Sequence, residues 1–218
     1  MTQGAVSGAT SHLDHLVVTA PTLAAGAAWV ERCLGIAPGP GRQHPHMGTH
    51  NLLLSLGATL YLEVIAIDPQ APPPSRPRWF GLDHVSPTQP PRLSAWVANT
   101  TDIHAHASPA LGAVEQMTRD GLSWQMTVTP DGRLPLSGAA PLLIQRATTF
   151  HPAARLPDLG LRLRRLHIRH PDPARVDQVL AGIGLVDRPL IAVTPGAVCA
   201  LGVEIETPAG VMALGDIQ

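Results

Sequence analysis

The sequence predicts an α+β protein of repeated β-α-β-β-β modules that pair into a curved, cup-like mixed sheet. Three observations lead there. An apolar run with strand character at residues 13–19 is followed by helical spacing over 21–35 and then by two or three more strand-like runs ending at residue 67. Weaker versions of the pattern return after residue 92 and after residue 161. Finally, a unit with one helix covers only one face of its own sheet, so the other face curves into an open cup that needs a mate.

The elements follow in order. Residues 1–10 are small and polar and read as a disordered start. After the 13–19 strand, Pro21 and Thr22 open a helix with Leu23, Ala27, Val30 and Leu34 on one stripe, and Gly35 closes it as a left-handed cap. The Gly/Pro/His-rich stretch 38–49 is a loop with a short edge strand, and 51–56 and 59–67 are strands joined by a turn at Gly57-Ala58. The first module is therefore 11–68. Residues 69–91 hold eight prolines and form a connector. Within it the aromatic pair Trp79-Phe80 is expected to dock on the body.

The second module, 92–151, reads as strands at 93–97, 113–118, 123–129 and 142–145 with a short helix at 103–111, ending in a turn at Phe150-His151-Pro152. The third, 161–214, opens with an alternating strand at 161–169. A helix at 173–182 follows, with Val176, Val179 and Leu180 inward, and then strands at 190–193, 197–201, 203–206 and 211–214. A third unit without a fourth leaves one cup edge open, so it packs on the first two or pairs in a homodimer.

Composition narrows the function. The chain has 218 residues, 44% of them hydrophobic, with 15 basic and 16 acidic side chains. A balanced charge argues against nucleic acid or an anionic membrane as partner. All the basic residues other than histidine are arginine, which excludes lysine-based Schiff-base chemistry. No run of membrane-spanning length and no signal-peptide pattern occurs, so a cytoplasmic protein is expected. Cys33 and Cys199 read as buried free thiols. Dinucleotide fingerprints and Ser or Cys nucleophile signatures are absent.

Two polar residues stand out in apolar strands: His15 in the first and Glu63 in the last strand of the first module. Neither belongs in a buried strand without a partner. Either each partners the other or both hold something.

The stretches Ser11-His12-Leu13-Asp14-His15-Leu16-Val17-Val18, Gly48-Thr49-His50-Asn51, Tyr61-Leu62-Glu63 and residues 76–81 resemble the glyoxalase-like branch of the vicinal oxygen chelate superfamily. Leu143-Ile144-Gln145 and His151-Pro152-Ala153 fit the same branch, and the resemblance spans most of residues 11–180. It implies that His15 and Glu63 are metal ligands, with Glu63 also a candidate base. That donor pair suits Zn, Mn, Fe or Ni with positions open for substrate oxygens. A full site takes two more ligands from the partner module, where Ala95 or Trp96 and Gln145 stand. The set is then completed by His50, by His151, or by His167 and Glu204 if the third unit is the true mate; a fourth reading is that no metal binds. On parity, Leu13, His15 and Val17 are expected on one face.

Plainer readings stand beside these. His15 beside Asp14 is also what a satisfied structural histidine looks like, and Glu63 pairs equally well with Arg146 across the cup. His44 lies in the loop, where polar residues are ordinary. Two functions remain. One is a metal-dependent lyase, isomerase or dioxygenase on a small oxygen-bearing substrate. The other is a metal-free small-molecule binding or sequestering protein, its pocket lined by Tyr61, Trp79 and Trp96, with His50, Asn51 and Gln145 fixing orientation and His151 at hand.

Overall fold

The computed structural model describes residues 8–119, 121–148 and 151–217. The first seven residues of the expected disordered start, and Phe150 of the expected turn, lie outside the described residues. The first unit contains β1 (Ser11–Thr19), α1 (Leu23–Leu34), β2 (Gly39–His44), β3 (Thr49–Ser55) and β4 (Tyr61–Ile67). The second contains β5 (Arg92–Thr100), α2 (Ile103–His106), β6 (Ala113–Arg119), β7 (Leu122–Val128) and β8 (Leu142–Arg146). The third contains β9 (Arg162–His170), α3 (Pro173–Gly182), β10 (Ile191–Pro195), β11 (Ala200–Thr207) and β12 (Gly210–Gly215).

The first eight strands form one curled, mixed sheet in the order β2-β3-β4-β1-β5-β8-β7-β6. Each half has the same internal arrangement. The first strand pairs in parallel with the last, β1 with β4 and β5 with β8, and the halves join where β1 runs antiparallel to β5. The third unit has the same element order but a different sheet, β10-β9-β11-β12, in which its first strand is interior. The cup is thus shared by the first and second units, and the third unit is not the mate of the first.

Local chemistry explains most boundaries. Thr22 caps α1 by accepting from Ala25 N–H at 3.1 Å, and Gly35 ends the helix at φ 72° with its N–H on Glu31 O. Asp172 caps α3, which opens on Pro173. Three expectations need correction. The helix expected at 103–111 is a single turn ending at His106, because Ser108 precedes Pro109 and is held out of the helical region. The two strands expected at 197–201 and 203–206 are one, β11, with Gly202 inside it. A Cβ there would lie 2.1 Å from Asp216 O, so this glycine marks a close backbone approach, not a break. The two cysteines are free but only partly buried, and Cys199 precedes β11 instead of lying in a strand.

Two apolar cores result. On the convex side of the eight-stranded sheet, Leu16, Val18, Leu62, Val64 and Trp96 pack with Val30 and Leu34 of α1 and with Leu166, Ile168, Val203 and Ile205 of the second sheet. On the concave side, Val17, Ile65, Val97, Met126 and Ile144 pack with Trp79, Phe80 and Leu82. The last three come from the proline-rich connector, whose 3-10 segment Trp79–His84 therefore docks as expected. Among the described residues, no helix is long and apolar enough to cross a membrane.

Helix α1 sits tightly on β4 at Gly26, where an added Cβ would come within 2.3 Å of Val64 Cγ1. Gly26→Ala gains about 1 kcal/mol of helix propensity but overpacks a stiff β-branched neighbour, at a cost of about 1–3 kcal/mol. The expected net result is a loss of stability, read as a lower urea midpoint at unchanged slope.

Candidate active site

The site begins with an irregularity in β1. Regular alternation would put Asp14 and His15 on opposite faces. The register between β1 and β5 slips between Leu13 and His15. This bulge brings both polar side chains to the concave face and sends Leu13, expected beside His15, into the convex core.

Asp14 is fully buried. Its carboxylate accepts from His15 Nδ1 at 2.6 Å, from Arg146 Nη2 at 2.6 Å and Nε at 3.1 Å, and from His151 Nε2 at 3.1 Å. Burial alone would raise this carboxyl's pKa. The hydrogen bonds from His15 and His151 and the charges of His15 and Arg146 outweigh burial and hold it well below the usual carboxylate range. An ionised carboxylate only accepts, so His15 Nδ1 carries a hydrogen. His15 Nε2 is turned toward Glu63, with Oε2 at 3.6 Å, too far for a hydrogen bond. Tyr61 stacks on the His15 ring, centroids 4.7 Å apart and 12° from parallel. Burial, then the charges of Asp14 and Glu63, push its hydroxyl up, so it stays a phenol.

Glu63 is braced separately. Asn51 Nδ2 donates to Glu63 Oε1 at 2.5 Å, while Asn51 Oδ1 accepts from Arg42 N–H at 2.7 Å, which fixes the amide orientation. The same Nδ2 lies 3.4 Å from His44 Nε2, and His44 Nδ1 is 3.1 Å from Thr49 Oγ1. Trp79 Nε1 donates to that hydroxyl and its ring meets His44 edge-on. The pocket above these groups is walled by Phe80, Trp124, Met126 and Ile144.

The structure brings together His15, Glu63, Asn51, Tyr61 and Trp79, with His151 on Asp14 and 5.7 Å from the Tyr61 ring. It separates three others. His50 alternates with Asn51 on β3 and lines a groove on the opposite side, with Arg42 and Gln43. Trp96 is fully buried in the convex core, its Nε1 donating to Ala139 O. Gln145 accepts from Ile103 N–H at 2.7 Å and so caps α2. His167 and Glu204 lie in the second sheet and pair with each other at 3.1 Å. Arg146 binds Asp14, not Glu63.

Sequence reasoning set His44 aside as a loop residue, named Asp14 only as a structural neighbour of His15, and named Arg146 only as a partner for Glu63, whereas it binds Asp14. Alternation along β8 makes Gln145 and Arg146 mutually exclusive at the cup, and the structure turns Gln145 away and Arg146 inward.

The sequence matches the glyoxalase-like domain family over residues 13–184, well over half of the chain. The chain belongs to this family. The matched region contains the whole cup and ends after α3, before the last three strands of the glyoxalase-like chain. Among solved structures, a hypothetical protein from Staphylococcus aureus is similar over 87% of this chain and 88% of its own, with a TM-score of 0.55 and 11% identity. A methylmalonyl-CoA epimerase from Mycobacterium tuberculosis aligns over 62% of this chain and 88% of its own, with a TM-score of 0.40 and 14% identity. A Mn(II)-bound glyoxalase from Novosphingobium aromaticivorans aligns over 92% of this chain and 79% of its own, with a TM-score of 0.45 and 11% identity. At 11% identity the likeness to the Staphylococcus aureus protein is one of fold. No curated protein matches the chain.

Asp14→Asn tests the buried network. It removes the charge that partners Arg146 inside the cup and forces a donor toward existing donors. The expected loss is about 3–5 kcal/mol in urea unfolding, against no resolvable change for the exposed Asp158→Asn, whose arginine partner is solvated.

Proposed function

We propose that the protein is a lyase or isomerase that takes a small oxygen-bearing substrate into the cup and acts on it with His15 and Glu63, the pair also holding a divalent cation. The observation that carries this reading is the gap between His15 Nε2 and Glu63 Oε2. The two atoms face each other at 3.6 Å without a hydrogen bond, and each is braced from behind by a polar partner, Asp14 for the histidine and Asn51 for the glutamate. Ligands of a cation are commonly oriented by such outer partners. Two donors at about 2.0–2.2 Å each can share one ion across such a gap. Zn, Mn, Fe and Ni all suit a nitrogen and oxygen pair.

The fit extends to two ligands. Among the described residues no group of three or more His, Cys, Asp or Glu side chains is placed to hold a metal. The second half turns Val97, Met126 and Ile144 toward the cup. His50, the candidate for a third ligand, faces elsewhere. A dioxygenase of the two-His-one-carboxylate kind needs that third ligand, so the proposal favours proton-transfer chemistry.

A bound cation would supply Lewis acidity for negative charge developing on a substrate oxygen. The chain's own groups do the rest. Asp14 fixes the hydrogen on His15 Nδ1 and the orientation of the ring. Asn51 occupies Oε1 of Glu63, so Oε2 is the oxygen that would hold the cation and, when released from it, take a proton from the substrate. The apolar second wall limits water around that exchange.

The apolar second wall also favours a second reading, a metal-free protein that binds a small molecule without transforming it. Metal analysis by mass spectrometry separates the two, on protein purified without chelator or affinity tag. The first reading expects close to one ion per chain in the wild type and a loss of about tenfold or more in His15→Ala and Glu63→Gln. No metal in the wild type after incubation with Zn, Mn, Fe and Ni would move the assignment to the binding protein. Asn51→Ala, which removes the brace on Glu63 together with the acceptor for Arg42 N–H, is expected to weaken metal affinity about tenfold and to lower the urea midpoint, because buried Glu63 and the Arg42 N–H each lose a partner.

A further inference from the structure

The chamber over His15 and Glu63 is small, with about 100 Å³ of free space. A second chamber of about 440 Å³ borders it and shares His44, Trp79 and Trp124 with it. This outer chamber lies where the two ends of the eight-stranded sheet face each other, between residues 44–47 at the end of β2 and residues 116–118 of β6. Its inner lining is aromatic and thioether: Trp79, Trp124, Met47 and Met117. Of its polar groups, His46, Gln116 and Thr118 are toward solvent, and buried His44 stands at the border with the inner chamber.

Met47, Met117 and Trp79 are buried against the concave core although they border free space. Indole rings and methionine side chains offer flat, polarisable surface, which suits a planar apolar group. The volumes agree with the chemistry. The inner chamber admits a few heavy atoms beside the polar pair, and the larger space beside it is apolar.

From this we infer that the ligand is amphiphilic: a compact oxygen-bearing head at His15 and Glu63, joined to an aromatic or similarly flat apolar body held by Trp79, Trp124 and Met117. The assignment of the head rests on the proposed function; that of the body rests on the outer chamber. Trp124 is then a specificity residue. It stands at the boundary of the two chambers, and its role is to select the body without acting on the head.

Calorimetric titration of the full chain, loaded with Zn or Mn, with three probes tests this. Acetohydroxamate carries an oxygen-bearing head alone, benzohydroxamate the same head on a ring, and benzamide the ring without the head. The expected result is binding of benzohydroxamate at least about tenfold tighter than of either other probe. Trp124→Leu is expected to lower benzohydroxamate affinity at least about fivefold more than acetohydroxamate affinity, and Trp124→Phe to restore most of the difference. Equal affinity for the two hydroxamates would overturn the outer chamber while leaving the proposed function standing. Equal affinity for benzohydroxamate and benzamide, both unaffected by His15→Ala, would overturn the head assignment and the proposed function with it. No binding of any probe at millimolar concentration would overturn the inference as a whole. The wild-type comparison needs no variant, so a folding defect in Trp124→Leu does not blunt the test.

Discussion

The cup depends on one buried carboxylate. Asp14 belongs to β1 of the first half; Arg146 belongs to β8 of the second, and His151 follows it. Removing a carboxylate from water costs several kcal/mol, which four hydrogen bonds and a guanidinium offset only when all the donors are in place. Both halves of the sheet must therefore be correctly docked before this charge is tolerated. The same constraint orients the neighbouring histidine. The bond that satisfies Oδ1 also sets the hydrogen on His15 Nδ1 and aims Nε2 at Glu63.

The two halves share a topology but not a chemistry. The first half presents His15, Glu63, Asn51 and Tyr61 to the cup. The second presents Val97, Met126 and Ile144, with Arg146 turned to Asp14. A four-ligand centre would require donors from both. The histidine and carboxylate that face each other in the pocket both come from the first half, and the second half lines it mainly with Trp124, Met126 and Ile144. The third unit keeps out of this. Its sheet covers the convex face, where Leu166, Ile168, Val203 and Ile205 bury the side of the barrel remote from the pocket.

The fold was legible in the sequence because its signals are periodic and local. Strand runs, the Thr22 and Gly35 caps and the return of the pattern after residue 92 depend on near neighbours alone. His15 and Glu63 were legible as polar residues in apolar strands. The rest of the site was hidden for specific reasons. The bulge at Asp14 leaves no mark in residue type, yet it decides that Asp14 shares a face with His15 and that Leu13 does not. The run Leu142-Leu143-Ile144 is apolar on both faces, so it cannot tell whether Gln145 or Arg146 points inward. His44 lies in a strand masked by Gly39, Pro40 and Gly41, and so reads as a loop residue; it reaches Asn51 because β2 pairs with β3. In each case the missing information is register, which is set by partners distant in the chain.

The connector shows how the roof of the pocket is held. Proline-rich segments ordinarily act as spacers, but this one is tied to both halves. Arg76 pairs with Glu115 of β6, Arg78 Nε donates to Gly48 O of the first half, and Gly81 N–H donates to Gly132 O at 2.8 Å in the second. Between these ties Phe80 adopts the left-handed conformation at φ 56°, which costs a non-glycine residue about 1–2 kcal/mol. Burying the phenyl ring returns about 2–3 kcal/mol, so the strained turn is stable only while Phe80 stays in the concave core. A conformation stable only through its contact with the pocket wall ties the shape of the roof to the packing of Trp79 and Phe80. The connector thereby sets the side of the cup that neither sheet supplies.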